Sequence, residues 1–287
     1  MLVWIAAGAG AALLLGLLVL LDGTLRAETT EFRIETPSLA EGQELRIVQI
    51  SDLHGRTRFW QGSASEMVNA LRPDIVCVTG DLFNRLRELP GVLQDLSRLD
   101  CGCIYFVPGN HERQEMLGRK RRALKDAEYR EVLSRIESAG LKVMDNRGEW
   151  VTINGAVLMV YGFDNSRFGK ERYRPPEPAE SQTAFRLFMA HAPSIIRWMD
   201  RRSIPFDLLL TGHTHGGQIA PLRKFLGYYA KYHVGMKRLP DGRCFYINRG
   251  MGTIHLPFRL FCRPEIALFR LTGGQRRPLE ETEEPGD

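Results

Sequence analysis

The chain has 287 residues, a formal net charge of +5 and a pI near 9.0, with 44% apolar and 25% charged residues. Such a composition excludes a disordered, repeat, coiled-coil or low-complexity protein and suits one large domain with or without a tail. The mildly basic balance fits anionic partners in general (phosphorylated substrates, acidic lipids, nucleic acid) without choosing among them.

From Leu2 to Leu21 the sequence is apolar and carries no charge. About 20 such residues at a rise of 1.5 Å span a hydrocarbon core of about 30 Å. A cleaved signal peptide would carry Lys or Arg before its apolar stretch and a small-residue cleavage site after it, and neither is present. The expectation is a retained single-pass anchor over 1–22. Arg26 and Arg33 follow it directly and favour the cytoplasmic side for the rest of the chain.

Residues 23–43 read as a polar stalk with an opening strand around Glu31–Ile34, and 44–272 as the main domain. Strands are predicted at Leu45–Ile50, Asp74–Thr79 and Cys103–Val107, with helices over Glu66–Leu71 and Val92–Leu99 between them. A long charged helix is then expected to about Ala139. Further strand-like runs lie at Val157–Tyr161, Phe185–Ala190, Asp207–Leu210, Cys244–Ile247 and Ile266–Phe269, with a Pro-rich loop over Arg172–Gln182. Alternation in the first half implies βαβ units and a mainly parallel sheet; closer strands in the second half imply more antiparallel pairing. The Glu- and Pro-rich tail, 273–287, reads as disordered.

The five cysteines, Cys77, Cys101, Cys103, Cys244 and Cys262, are odd in number and irregularly spaced. They exclude a disulfide framework and read as small buried hydrophobes with room for one exposed thiol.

Polar residues collect where five apolar runs stop. These are Asp52-Leu53-His54, Gly80-Asp81, Gly109-Asn110-His111-Glu112, His191-Ala192-Pro193 and Gly212-His213-Thr214-His215-Gly216-Gly217-Gln218. Ligand sites in α/β sheets lie at the carboxyl ends of strands, so five strand ends each carrying a metal-capable side chain point to one site. Carboxylate, amide carbonyl and imidazole donors together suit divalent ions such as Mn²⁺, Fe²⁺ or Zn²⁺. Five of the seven histidines fall in these loops.

In this order, D-L-H, G-D, G-N-H-E, H-x-P and G-H-T-H-G-G-Q resemble the calcineurin-like metallophosphoesterase superfamily, over roughly Leu45–Leu271. The run Asn248-Arg249-Gly250-Met251-Gly252-Thr253 with Arg263-Pro264-Glu265 is similar to its bacterial YkuE/YaeI-like phosphodiesterase branch. The resemblance implies a four-layer α/β/β/α sandwich with two mixed sheets behind the N-terminal transmembrane helix, in a bacterial inner membrane. It implies that Asp52, His54 and His215 hold one metal and Asn110, His191 and His213 a second, bridged by Asp81. Mn²⁺ is the first expectation, with Fe²⁺, Zn²⁺ or Mg²⁺ as alternatives. It also implies that His111 faces the leaving group rather than a metal. Two cations roughly 3.5–4 Å apart would activate a shared water as the nucleophile.

The expected activity is therefore that of a phosphodiesterase or pyrophosphatase acting near a membrane on a phosphoester, in one reading a lipid-linked one. A UDP-2,3-diacylglucosamine-type pyrophosphatase and a nuclease are the alternatives, and a non-catalytic scaffold the least favoured, since every ligand position is filled. Oligomeric state leaves no trace. The phosphoprotein phosphatases of the superfamily carry a second aspartate where this chain has Asn84, which counts against that substrate class.

Weaker signals remain. Arg85 and His255 are candidate substrate contacts. The basic run Gly118–Arg122 reads as a solvated helix face or a patch for anionic lipid. The stretch Leu222–Leu239 mixes basic and aromatic residues and either rims the site, touches a membrane interface or simply covers a sheet.

Overall fold

A computed structural model describes residues 2–274 apart from 119, 165, 178–183, 226 and 228. Part of the proline-rich loop, Arg119 of the basic run, Tyr228 of the aromatic stretch and nearly all of the expected tail lie outside the described residues.

Helix α1 runs from Leu2 to Leu25, 24 residues whose only formal charge is Asp22. Its stretch Ala7–Leu25 has a mean hydropathy of 1.9, and it is the one helix among the described residues long and apolar enough to cross a membrane. The folded body follows at once: nine of the residues read as stalk and opening strand form β1 (Glu28–Thr36).

Twelve strands make two six-stranded sheets. The first contains β1, β2 (Glu44–Ile50), β3 (Ile75–Val78), β4 (Ile104–Phe106), β5 (Lys142–Val143) and, from the far end of the chain, β12 (Glu265–Gly273), in the order β1-β12-β2-β3-β4-β5. Strands β2 to β5 are parallel neighbours, and β12 enters antiparallel to β2 and parallel to β1. The second contains β6 (Arg147–Ile153), β7 (Ala156–Gly162), β8 (Phe185–Met189), β9 (Leu208–Thr211), β10 (Gly235–Arg238) and β11 (Cys244–Ile247), ordered β6-β7-β8-β9-β11-β10. Its centre is parallel and its two edge pairs are antiparallel, against one antiparallel pair in the first sheet, so the second half does carry more antiparallel pairing, as expected, though its core is parallel. The connection from β8 to β9 passes over the outer face through α5 (Ile195–Asp200) and so returns the chain in the same direction.

The sheets pack face to face through Ile47, Ile75, Cys77 and Phe269 from one and Leu158, Leu187, Leu210 and Tyr246 from the other. Helices α2 (Ala64–Ala70), α3 (Leu89–Leu96) and α4 (Asp126–Ser138) cover the outer face of the first sheet, and α5 that of the second. Four layers result, and the near-continuous apolar strands follow from burial on both faces. Capping starts α2: Ser63 Oγ accepts from the Glu66 N–H while Glu66 returns a bond to the Ser63 N–H.

One expected element is corrected. The long helix before Ala139 begins only at Asp126, and a hairpin of Gln114–Leu117 and Lys120–Ala123 precedes it. Arg122 therefore lies on a strand rather than a helix face, where it pairs with Glu115 and Glu128. None of the five cysteines forms a disulfide; Cys77, Cys244 and Cys262 are buried and Cys101 and Cys103 partly so.

Candidate metal centre

The parallel cores of both sheets deliver their strand ends to one edge. Asp52 and His54 follow β2, Asp81 follows β3, Asn110 follows β4, His191 follows β8, and His213 and His215 follow β9. Hydrogen bonds lock these loops together: the Asp52 N–H donates to Gly80 O (2.9 Å), His54 N–H to Asp81 O (3.0 Å) and Gly212 N–H to His191 O (2.9 Å). Asp52, His54, Asp81, His213 and His215 all have left-handed backbones, with φ between 45° and 68°. A non-glycine residue is uncommon there, and such strain collects at functional sites that the surrounding structure over-determines.

Three donor groups form among the described residues. Asp52, His54 and His215 make the first, Asp81, His191 and His213 the second, and His54, Asp81 and His111 a third that overlaps both, with the ligand atoms of each within 4.8 Å of one another. In the first, His215 Nε2 lies 3.3 Å from Asp52 Oδ1 and 3.0 Å from His54 Nε2. In the second, His191 Nε2 lies 3.0 Å from His213 Nδ1. Asp81 Oδ2 stands between the groups, 3.6 Å from His54 Nε2 and 3.3 Å from His191 Nε2. Its other oxygen accepts the His111 N–H at 2.8 Å, which fixes the carboxylate plane.

These residues fit divalent cations. Asn110 Oδ1 and Asp52 Oδ1 are buried without a hydrogen-bond partner, an arrangement that is costly unless a ligand supplies one. His191 Nδ1 lies 2.7 Å from Thr79 O, so that nitrogen carries the proton and Nε2 presents its lone pair to the cluster. The second oxygen of Asp52 is held by Ser51 Oγ (2.6 Å) and the His213 N–H (2.9 Å).

The charges are mutually dependent. Burial opposes ionisation of Asp52 and Asp81, but the neighbouring imidazoles overcome it and hold both carboxyls below the usual carboxylate range. Burial, reinforced by the other histidines, lowers His54 and takes His213 down to about 3, so both rings are neutral at ordinary pH. Burial also works against a charge on His191, yet the Asp81 carboxylate beside it prevails and raises it to about 10.

His111 packs edge-on against His54 with ring centroids 4.7 Å apart, and neither of its ring nitrogens has a partner. Burial lowers its pKa. At the position of the missing aspartate, Asn84 turns its amide to His54 O and Thr253 O instead (3.3 and 3.4 Å). Arg85 and His255 line one cavity of about 590 Å³ with Asn84, Glu88, Met116 and Ile254.

Two functional residues escape a reading of the sequence. Glu112, wholly buried, accepts the N–H groups of Gly109 (2.6 Å), Leu82 (2.8 Å) and Asp81 (3.0 Å), tying the loop after β4 to that after β3. Burial and then the Asp81 charge push its pKa up to about 7. Its place in the G-N-H-E run was the available signal. Arg259 is also fully buried, and its guanidinium donates to the carbonyls of Gly252 (2.8 Å), Arg249 (2.9 Å), Cys262 (3.2 Å) and His215 (3.4 Å). Its own N–H donates to Thr24 Oγ1 (2.8 Å), so a single arginine separates the end of α1 from the loop of His215. No motif announced it.

A fold of this kind, carrying aspartate, asparagine and histidine at these strand ends, defines a metal-dependent phosphoesterase. Residues 45–217 match the calcineurin-like phosphoesterase family, to which this chain belongs. An uncharacterized metallophosphoesterase of Aquifex aeolicus is 30% identical over 267 residues, covering 87% of this chain and 92% of that one. YkuE of Bacillus subtilis, likewise an uncharacterized metallophosphoesterase, is 27% identical over 262 residues, 85% of each chain. The phosphodiesterase YaeI of Escherichia coli is 30% identical over 236 residues, 79% of this chain and 82% of its own.

Proposed function

We propose that this protein is a phosphodiesterase or pyrophosphatase working at a membrane surface with two divalent ions, toward both of which Asp81 would contribute its carboxylate. The observation that carries the reading is the position of Asp81 Oδ2, between His54 Nε2 and His191 Nε2, with a set of buried donors on either side. Asp52, His54 and His215 would hold one ion and Asn110, His191 and His213 the other; the mixed oxygen and nitrogen donors suit Mn²⁺, with Fe²⁺, Zn²⁺ or Mg²⁺ as alternatives. When bound, such a pair supplies Lewis acidity toward the phosphoryl oxygens and lowers the pKa of water.

The rest falls to the chain's own groups. The Thr79 carbonyl and the Ser51 hydroxyl orient His191 and Asp52, and Glu112 holds the loops of Asp81 and Asn110 at fixed separation. His111 stands over His54 with both ring nitrogens free of protein partners, so its N–H is available to the departing oxygen. A donor aimed at the oxygen on which charge develops is typically worth about 10²–10³-fold. Arg85 and His255 line the adjoining cavity and would contact the part of the substrate beyond the scissile phosphate. YaeI is named a phosphodiesterase, which supports the diester reading. Helix α1 supports work at a membrane, and Arg26 and Arg33 favour the cytoplasmic face.

The test is hydrolysis of bis-p-nitrophenyl phosphate and p-nitrophenyl phosphate by the full chain in detergent with added Mn²⁺. Diester turnover that requires metal, vanishes in Asp81→Asn and falls about 10²-fold or more in His111→Ala is expected. Folded protein that binds no metal would sink the proposal.

A further inference from the structure

The end of α1 does not leave the body on a free tether. Arg259 N–H bonds Thr24 Oγ1, Arg263 pairs with Asp22, and a side chain at Gly23 would lie 2.7 Å from Arg259 O. Phe261, 71% exposed, lines one cavity with Leu18, Val19, Asp22 and Gly23. Leu18 and Val19 precede Asp22 by about one helical turn, inside the apolar stretch. If that stretch crosses a hydrocarbon core, Phe261 lies at the depth of its edge.

A second segment runs beside it. Leu260 N–H donates to Gln218 O and Ala220 N–H to Leu260 O, so the turn Ala220–Phe225 is fixed to the strip that carries Phe261. This turn exposes Leu222 (47%) and Phe225 (83%), and the strip adds Leu256 (44%). Between the apolar tips stand Arg223 and Lys224, which pair with no carboxylate among the described residues. Aromatic and aliphatic tips interleaved with unpaired cations, continuous with an apolar helix, match the interfacial layer of an anionic bilayer.

We infer that the segments 219–225 and 256–263 form a second membrane contact, seated in the headgroup layer of an anionic phospholipid bilayer around the foot of α1. Leu222, Phe225, Leu256 and Phe261 enter the acyl boundary, and Arg223 and Lys224 meet lipid phosphates. Both segments are built into the site: Arg223 Cβ lies 3.0 Å from where a Gly217 side chain would begin, two residues past His215, and Gln218 clamps Ile254, Leu256 and Phe258. The contact therefore holds the metal-centre edge of the sheets against the bilayer rather than letting the body swing on its helix. The inference concerns placement and stands whatever the enzyme cleaves.

The experiment places nitroxides, one at a time, through Phe225→Cys and Phe261→Cys in the full chain, reconstituted in nanodiscs with and without phosphatidylglycerol. Signal from native cysteines is measured on the unsubstituted protein. Accessibility to a water-soluble nickel chelate and to oxygen is compared with Leu14→Cys in α1 and with Glu41→Cys, exposed ahead of β2 at the opposite sheet edge. The inference expects both test sites to be shielded from nickel severalfold relative to Glu41, with raised oxygen access. It also expects Phe225 to lose shielding when phosphatidylglycerol is omitted or when Arg223→Glu and Lys224→Glu are introduced together. Nickel access equal to that at Glu41 while Leu14 is shielded overturns it, as does nickel access at Leu14 itself. Dipolar broadening between labels would show a second copy on this face and also overturn it.

Discussion

Arg259 offers a sharp test of how α1, the His215 loop and stability are connected, through the substitution Arg259→Met. Methionine keeps much of the volume and removes every donor. The carbonyls of Gly252, Arg249 and Cys262 would lose their bonds (2.8, 2.9 and 3.2 Å), whereas His215 O keeps the Gln218 N–H at 2.9 Å. An orphaned buried carbonyl costs about 1–3 kcal/mol, so three amount to about 3–9 kcal/mol. Against this stands the relief of a buried charge: burial lowers the Arg259 pKa, and no carboxylate pairs with it among the described residues. Replacing a buried ionic group by an apolar one can be neutral or even stabilising. Because the partners here are carbonyls that stay behind, a net loss of about 2–4 kcal/mol is expected. At roughly 2–4 °C per kcal/mol for chains approaching this size, the melting temperature should drop on the order of 5–15 °C. Thermal unfolding of the full chain in detergent, metal-free and metal-loaded, measures it, and Arg259→Lys should recover part of the loss because its ammonium reaches fewer carbonyls. An unchanged or higher melting temperature in Arg259→Met would refute the reasoning.

Three further outcomes are expected. A side chain at Gly109 would collide with Asp81 Oδ1 and lie 2.7 Å from Asp81 N, so Gly109→Ala should lower kcat/KM about tenfold or more, whereas Gly91→Ala, with nothing within 4 Å, should leave activity intact. Glu112→Gln places an amide NH₂ against one of the three backbone N–H groups it now accepts. Metal affinity should fall about 10–100-fold by calorimetry, while an unchanged value would deny Glu112 a positioning role. The third concerns pH. His191, at about 10 without metal, must lose its proton to coordinate, so metal binding at pH 8 should release about one proton per chain, read from the buffer dependence of the binding heat. In the metal-free protein its raised pKa gives stability that is full below an unfolded value of about 6.5 and is lost as pH rises toward 10. The lowered pKa of His213 gives stability that is lost as pH falls from about 6.5 toward 3. The melting temperature without metal should therefore peak between these limits, and a monotonic profile would contradict the assignment.

The sequence by itself determined the donor residues and the strands that carry them. Apolar runs such as Leu45–Ile50 and Asp207–Leu210 end in Asp-x-His and Gly-His-Thr-His, and a doubly buried strand that stops at a polar turn is a local event. It likewise determined α1, since uninterrupted hydrophobicity needs no partner to be recognised. The hairpin at Gln114–Ala123 was misread because its charged residues are as compatible with an exposed helix as with a two-stranded ribbon.

Only the tertiary structure decided how the donors are brought together. His54 meets His215 because β2 and β9 lie in different sheets whose edges converge, and His191 meets His213 because β8 and β9 are parallel neighbours in one sheet; such long-range packing leaves no periodicity in the chain. It also decided that β12 returns from the far end to sit beside β2. The roles of Glu112 and Arg259 arise in the same way: each hydrogen-bonds backbone groups of distant segments, and any residue type can supply a backbone N–H or C=O, so the partners are invisible until the chain folds.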